Sequence, residues 1–457
     1  MVLDSQMKKR VVVGIGQTGQ SCMRFFSRMN IPFSVFDTRE APENIDQVLR
    51  ENANTEFLFG ESNVNSLCQA EQLIVSPGVD LTDPIFTDID LSKQELTNDI
   101  AIFSKMALAP KVLITGSNAK STVTTLLGEM ANKAGLQAAV GGNLGKPVLD
   151  LLDDNCEAYI IELSSFQLEY CSNLGAKVAA ILNISNDHLD RHHSMDNYQR
   201  IKQRIYEGAE YIVFNRQDPL TQPLSCSAST LKSFGLDQPE DGHYGLVNIG
   251  DKCFVSRGSD LLLSVEALAV QGEHNLLNVV AAVAIGDLAG IPVASMQAAI
   301  KIFKGLPHRC EEVAVVRGVT YFNDSKATNV GATVSAVNSV SKMTQGNVII
   351  IMGGRAKQKN FSALFDQLQG IRYKIIVIGE SAELMKRCVP SDVVVMDAET
   401  LPSAVKQAHD ACVAGDIVLL SPACASFDMF DSFEHRGDVF KRSVSDLTAS
   451  VNSEANH

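Results

Sequence analysis

The stretch KVLITGSNAKSTVTTLLGEM, Lys111 to Met130, constrains this chain more than any other. An apolar run, Val112 to Thr115, ends in a hydroxyl, and a polar turn, Gly116-Ser117-Asn118-Ala119, follows it. Lys120, Ser121 and Thr122 then open a set of apolar residues at helical spacing. That order is strand, phosphate loop and helix, the local build of a nucleoside triphosphate site. Backbone N–H groups at a helix start face bound phosphates, and the helix dipole favours their charge. In such a loop Lys120 neutralises the outer phosphates and the Ser121 hydroxyl holds Mg²⁺. The turn is shorter than G-x-x-x-x-G-K-[ST] and carries Ala119 where Gly is usual. Taken alone, it is also compatible with a helix that merely begins Lys-Ser.

A chain of 457 residues is too long for one core, and roughly two to four domains are expected. Its 39 basic and 53 acidic residues leave a net charge of −14, which argues against a general nucleic-acid binder. Anionic ligands then need local cations, and Lys120, Lys202, Arg309, Lys326 and Lys357 stand out. The ten cysteines show no C-x-x-C pairing or zinc spacing. Free thiols in a reducing cytoplasm are expected. The opening MVLDSQMKKR lacks the apolar core of a signal peptide. The longest apolar region, Leu276 to Ile291, contains Asn278 and Asp287, and reads as a buried helix rather than a membrane span.

Alternation of strands and helices divides the chain into three blocks, 1–99, 100–305 and 306–457. The first opens with strand Val11–Val13, then Gly14-Ile15-Gly16-Gln17-Thr18-Gly19, a helix through Met29, and strand Phe33–Phe36 ending at Asp37. A strand at Leu73–Val75 leads into Ser76-Pro77-Gly78. In the second block, strands are expected at Val112–Thr115, Tyr159–Leu163 and Val178–Ile184, and a helix around Asp196–Gly208. The third has strands at Val319–Asn323, Val348–Met352, Ile375–Ile378 and Ile417–Leu420, each with a helical stretch behind it. The expected fold is three-domain α/β. Rossmann-like units at both ends flank a central P-loop ATPase-like parallel sheet.

The N-terminal G-x-G-x-x-G has a strand before it and a helix after it. Asp37 sits where a ribose-binding acid belongs, so spacing alone suggests NAD. A dehydrogenase does not need a second phosphate loop. Two nucleotide signatures instead imply one nucleotide as a substrate handle and another as the energy source. Glu162, at the carboxyl end of a buried strand, is placed to hold Mg²⁺. The run Asn183 to His193 gathers His188 and two carboxylates after another strand. His192 and His193 read as residues of a solvated loop. Lys202 flanks the stripe Tyr198, Ile201 and Ile205, and its pattern reads as a stem along apolar surface with its head in water. Three polar turns, Asn323 to Asn329, Gly353 to Lys357 and Leu420 to Ser426, each follow a strand. They are expected to line one mouth for an acidic substrate.

TGSNAKST, ELSSFQLE, NDHLDR, GEHNLLN, LPHR, NDSKATN and SPACASFD occur in this order. Together they make the chain resemble the Mur ligases of peptidoglycan synthesis over essentially its whole length. NDSKATN and SPACAS are similar to the motifs of the D-glutamate-adding branch. The resemblance implies an ATP-dependent ligase that activates UDP-N-acetylmuramoyl-L-alanine as an acyl phosphate and couples it to D-glutamate. It implies no nucleic-acid partner, no membrane insertion and a monomer. By resemblance, Gly116, Ser117, Asn118, Ala119, Lys120, Ser121 and Thr122 hold ATP, with Asn275, Arg309 and Asp324. Thr18, Asp37, Thr38, Arg39, Ser76, Gly78, Asn143 and Ser164 fall where the family binds the uridine substrate. Lys326, Thr328, Lys357, Ser426 and Phe433 match the D-glutamate pocket. Ser121, Glu162, His188 and Lys202 are associated with two Mg²⁺ ions, and Lys120, His188 and Lys202 with catalysis. The resemblance reverses the pattern reading of Lys202: Tyr198 to Lys202 matches a YxxxK motif whose Lys takes up CO₂ as a carbamate. Two departures stand out. Arg355-Ala356 replaces an acidic-Gly pair before Lys357. Ala119 replaces a Gly, and a negative φ or a shifted loop is expected there, since a left-handed Ala costs about 1 kcal/mol or more.

Overall fold

The computed structural model describes residues 8–42, 45–87, 89–225, 230–269, 272–356 and 360–454. They form two compact units. Of these described residues, the first unit takes those within 8–184, 191–267 and 279–301, and the second those within 185–190, 268–278 and 302–454.

The first unit carries two sheets. Strands β1 (Arg10–Val13), β2 (Ser34–Asp37), β3 (Glu56–Phe59), β4 (Gln72–Val75) and β5 (Glu95–Thr97) are all parallel, in the order β3-β2-β1-β4-β5. Every residue of β1 is buried, as expected of a parallel strand covered on both faces. The helix Gln17–Arg28 starts directly after the Gly-rich turn. A Cβ at Gly19 would sit 1.9 Å from the Gly14 carbonyl, so only glycine lets this helix lie on the turn.

The second sheet is built from β6 (Lys111–Thr115), β7 (Ala138–Gly142), β8 (Ala158–Glu162), β9 (Val178–Ile181), β10 (Tyr211–Asn215) and β11 (Thr230–Phe234), with β12 (Tyr244–Ile249), β13 (Lys252–Arg257) and β14 (Asp260–Ser264). Its order is β14-β13-β12-β11-β10-β9-β6-β8-β7. The phosphate-loop strand β6 is central, between β8 and β9. The sheet is not parallel throughout: β12, β13 and β14 form an antiparallel ribbon at one edge. Its tight turns contain Gly250 and Gly258, both at positive φ. Strand β9 ends at Ile181 rather than Ile184, because Leu182 and Asn183 turn to back the phosphate loop. One continuous apolar core runs from Val12, Phe25 and Ile74 through Ile100, Phe103 and Val148 to Leu113, Ile161 and Ile212. The Arg24–Asp150 ion pair, at 2.5 Å, joins the same two sheets at the surface.

Asp99 opens the helix Asp99–Met106 between these sheets and is buried, with neither carboxylate oxygen hydrogen-bonded within the described residues. Burial pushes its pKa up to about 7, and the nearby N–H groups of Asp99 and Ile100 only soften the shift. The native state therefore holds this proton more tightly than the unfolded chain. The resulting stability is lost as pH rises from about 4 to about 7. Asp99→Asn should raise the melting temperature by a few degrees at pH 8 and by less at pH 5. A gain that grew toward low pH would contradict this sign.

The second unit contains one sheet: β15 (Glu311–Val316), β16 (Val319–Asn323), β17 (Val348–Gly353), β18 (Tyr373–Ile378), β19 (Val395–Asp397) and β20 (Ile417–Leu420), in the order β15-β16-β20-β17-β18-β19. It too departs from the expected all-parallel unit, since β15 pairs antiparallel with β16 at an edge. Apolar clusters cover both of its faces, around Val337, Ile350 and Phe365 on one side and Ile351, Val405 and Phe440 on the other.

Candidate active site

The phosphate loop is braced from β9. Ser117 N donates to the Asn183 carbonyl at 2.9 Å, and Asn118 N donates to Asn183 Oδ1 at 2.8 Å. A Cβ at Gly116 would lie 3.2 Å from Leu182 Cβ, so the loop runs close against its neighbour. Ala119 caps the helix Lys120–Lys133 with φ +66° and ψ −6°, in the left-handed region. The expected negative φ is thus wrong. The backbone keeps the turn geometry that favours glycine, and its alanine bears the steric cost. Ala119→Gly removes that Cβ clash but adds unfolded-state entropy, for a net gain of up to about 1 kcal/mol. Denaturant unfolding would show this as a higher midpoint, and a lower midpoint would contradict it.

Two lysines converge on this loop. Lys120 Nζ donates to the carbonyls of Gly116 at 2.8 Å and Ser117 at 3.0 Å. Lys202 Nζ donates to the same Gly116 carbonyl at 2.9 Å, with Thr115 Oγ1 at 3.4 Å. Lys202 is 1 % exposed, so the reading that put its head in water fails. Its stem follows the apolar stripe as expected. Its head turns inward because the phosphate loop covers that end of the helix Met195–Gln203. Nζ also lies 4.7 Å from the centroid of the Tyr198 ring, whose hydroxyl is 3.1 Å from Ser117 Oγ. Two ammonium groups at one carbonyl oxygen form an anion-binding arrangement.

His192 overturns another expectation. It is buried rather than solvated: its ring stacks between Phe166 and Tyr198, at 5.3 and 5.1 Å, and Nε2 is 2.9 Å from Ser165 Oγ. His193 is exposed, as expected.

Glu162, 2 % exposed, ends β8 beside the loop. Its Oε1 accepts from Asn143 Nδ2 at 2.6 Å, while Oε2 is buried with no hydrogen-bond partner in the described structure. A buried carboxylate oxygen without a partner is costly unless a cation meets it. This hard donor therefore fits Mg²⁺. Among the described residues no group of three or more His, Cys, Asp or Glu side chains could hold a metal. Ser164 caps the short helix Ser165–Leu168 in a capping box with Gln167.

In the first sheet, Asp37 is fully engaged. Its Oδ1 accepts from Arg39 N and Nε at 3.0 and 2.9 Å, and its Oδ2 from Ile15 N and Arg39 Nη2 at 3.0 and 2.9 Å. Burial opposes its charge, but these bonds outweigh it and hold the carboxyl below the usual range. Ser76 Oγ donates to the Gly14 carbonyl at 2.9 Å. Thr18 lies in the first turn of the helix Gln17–Arg28, Thr38 directly follows β2, and Gly78, just past β4, is exposed. Arg191, the last residue of NDHLDR, clamps this side: it pairs with Glu169 at 2.5 Å and Asp80 at 3.2 Å and donates to the Val79 carbonyl at 2.9 Å.

The second unit gathers its own polar turns at the ends of β16, β17 and β20. Asp324 accepts from Cys310 N at 3.1 Å and Ser421 Oγ at 2.8 Å, and burial pushes its pKa up to about 7. His308 and Ala423, in the flanking turns, adopt positive φ. Lys326 Nζ stands 3.8 Å over the Phe433 ring, within cation–π range. Ser426 is buried, and Thr328 N donates to the Lys326 carbonyl at 2.8 Å. Arg355 pairs backbone to backbone with Ala425, which ties the β17 turn to the β20 turn, and its guanidinium meets Glu380. Lys357 lies outside the described residues. His188 and Asn275 belong to segments grouped with this unit. His188 adopts φ +54°, its N–H donating to Asp187 Oδ1 at 3.0 Å.

Residues 8–97 match the Mur ligase MurD-like N-terminal domain, residues 114–286 the Mur ligase middle domain, and residues 308–424 the Mur ligase glutamate ligase domain. The chain is 43% identical to a UDP-N-acetylmuramoylalanine–D-glutamate ligase of Pseudomonas aeruginosa, over 96% of this chain and 98% of that protein. It is 44% identical to the Pseudomonas fluorescens enzyme of the same name, with the same coverage. The chain belongs to the Mur ligase family. The fold agrees: a pseudomurein peptide ligase type C from Methanothermus fervidus superposes with a TM-score of 0.61 at 17% identity, covering 95% of this chain and 99% of that one.

In this Mur ligase a buried residue of the second unit also escaped sequence reasoning. Arg436 is 1 % exposed and ties two turns together, donating to Ser325 Oγ and O at 3.0 and 2.8 Å and to the Cys424 carbonyl at 3.1 Å. It sits in SFEHRG, a few residues past SPACASFD. A charged residue in an otherwise amphipathic helix gave no sign of burial.

Proposed function

We propose that this Mur ligase uses ATP to join D-glutamate to UDP-N-acetylmuramoyl-L-alanine. Near-full-length likeness to ligases of that name carries the reading. The two lysines at the Gly116 carbonyl supply its chemical rationale.

A carboxylate is a poor electrophile. An oxygen of the alanine carboxylate attacks the γ-phosphorus of ATP, the bond to ADP breaks, and an acyl phosphate forms. The D-glutamate amine then adds to the acyl carbon. The tetrahedral oxyanion collapses to the amide, inorganic phosphate leaves, and the nitrogen gives up a proton. The protein's work is to position anions and offset their charge.

In this reading residues 116–122 cradle the phosphates. Lys120 swings from its own loop carbonyls to the γ-phosphate. Ser121, Glu162, His188 and a carbamate on Lys202 would hold Mg²⁺, which when bound screens the phosphate charges. Carbamylation turns one of two clustered cations into an anion, and the convergence of Lys120 and Lys202 supports it. Asn275, Arg309 and Asp324 hold the nucleotide. Thr18, Asp37, Thr38, Arg39, Ser76, Gly78, Asn143 and Ser164 hold the uridine substrate, so the Gly-rich turn serves UDP rather than NAD. Lys326, Thr328, Lys357, Ser426 and Phe433 take D-glutamate. The domains run 1–99, 100–305 and 306–457.

The chain acts as a cytoplasmic monomer in this account. No described helix is long and apolar enough to cross a membrane, and Cys22, Cys156, Cys171 and Cys412 are free thiols, which suits a reducing compartment. An amino-acid panel assayed by phosphate release tests the reading. D-glutamate alone should support turnover, and preference for another amino acid would refute it.

A further inference from the structure

We infer that Asn329 is a positioning residue that links the amino-acid turn to His188, by clamping Asp187. The inference rests on the proposed roles of His188 and of Lys326 and Thr328. Asn329 directly follows the Lys326–Thr328 turn and caps the helix Val330–Ser341, its Oδ1 accepting from Ala332 N at 2.8 Å. The other end of the same amide, Nδ2, donates to Asp187 Oδ2 at 3.0 Å. Both Asp187 oxygens also face His188: Oδ1 accepts from the His188 N–H at 3.0 Å, and Oδ2 lies 3.5 Å from His188 Nε2. One side-chain amide thus spans a helix cap and the carboxylate that holds His188.

The approach is tight by construction. The next residue but one is Gly331, and a Cβ there would stand 3.1 Å from Ser185 Oγ, at the start of the His188 segment. The strained φ of His188 needs such outside support. The far end of the same helix seats a second segment. Ser339 Oγ is 2.8 Å from His274 Nδ1, and Lys342 pairs with Glu273 at 2.5 Å, next to Asn275. A Cβ on Gly272 would meet Ser339 Oγ at 2.3 Å. The helix Val330–Ser341 therefore receives, at its two ends, the segments that carry His188 and Asn275, and the amino-acid turn leads directly into it. A displacement of that turn moves Asn329, and Asn329 moves Asp187.

Capping and clamping separate by substitution. Asp caps helices as well as Asn does, so Asn329→Asp keeps the cap and sets a carboxylate against Asp187. Asp187→Asn reverses the pair, because Asn at 187 can donate to Asp at 329 and still accept from the His188 N–H. The test is a double-mutant cycle read by kcat, by KM for D-glutamate and by melting temperature. Single-turnover phosphate release replaces steady-state rates where turnover is slow. In the native background Asn329→Asp should lower kcat about tenfold or more, raise the D-glutamate KM and lower the melting temperature. In the Asp187→Asn background the same change should cost little or restore activity and stability. An equal cost in both backgrounds, or unchanged kinetics of Asn329→Asp alone, would overturn the clamp. Failure of the functional reading is separate: it would appear as native enzyme without D-glutamate-dependent phosphate release.

Discussion

Lys202→Ala should lower the rate of phosphate release by about 1000-fold or more, and formate or acetate should return part of the loss. The expectation follows from where the side chain ends. Lys202 Nζ meets the Gly116 carbonyl at 2.9 Å, inside the phosphate loop and away from water. As an ammonium it duplicates the charge that Lys120 brings to the same oxygen. As a carbamate it would offer carboxylate oxygens to a metal and remove that repulsion. Truncation to Ala leaves a space at the loop, and a short carboxylate can occupy it with equivalent oxygens. Lys202→Arg, which cannot form a carbamate, should be as inactive as the Ala variant and resist rescue. Native-like turnover of Lys202→Ala would contradict the assignment.

Glu162→Gln should separate activity from stability. The substitution keeps the shape and lets the side-chain oxygen still accept from Asn143, but it removes the charge behind Oε2, which has no hydrogen-bond partner among the described residues. Turnover should fall by about 100-fold or more, with a higher Mg²⁺ requirement. Folding stability without Mg²⁺ should hold or rise, falling by no more than about 0.5 kcal/mol, because no internal ion pair is broken and a buried charge is removed. Parallel Mg²⁺ titrations of rate and thermal melts would record both. A large loss of stability with unchanged Mg²⁺ dependence would make Glu162 a structural residue.

Much of this was legible in the sequence, and the exceptions have physical causes. Strands such as Val319–Asn323 and Ile417–Leu420 stand where their apolar runs predict, because a parallel strand buried on both faces leaves a continuous signature. The ribbon β12–β14 lies outside the predicted strands, although Gly250-Asp251 and Gly258-Ser259 mark its turns. Lys202 and His192 misled for a shared reason. Their burial is set by partners distant in sequence, Gly116 for one and Phe166 for the other. Local pattern sees only the polar side chain. At Ala119 the local steric preference for negative φ lost to the geometry of the loop that starts the helix. Arg436 and Asn329 act through turns from separate strands, and no periodicity reports such contacts.

The most direct test of the account is phosphate release by the purified chain with ATP, Mg²⁺, UDP-N-acetylmuramoyl-L-alanine and D-glutamate, omitting each in turn. Release should require all four, and its product should be the UDP-linked dipeptide. Release that proceeds without D-glutamate, or that another amino acid supports better, would contradict it.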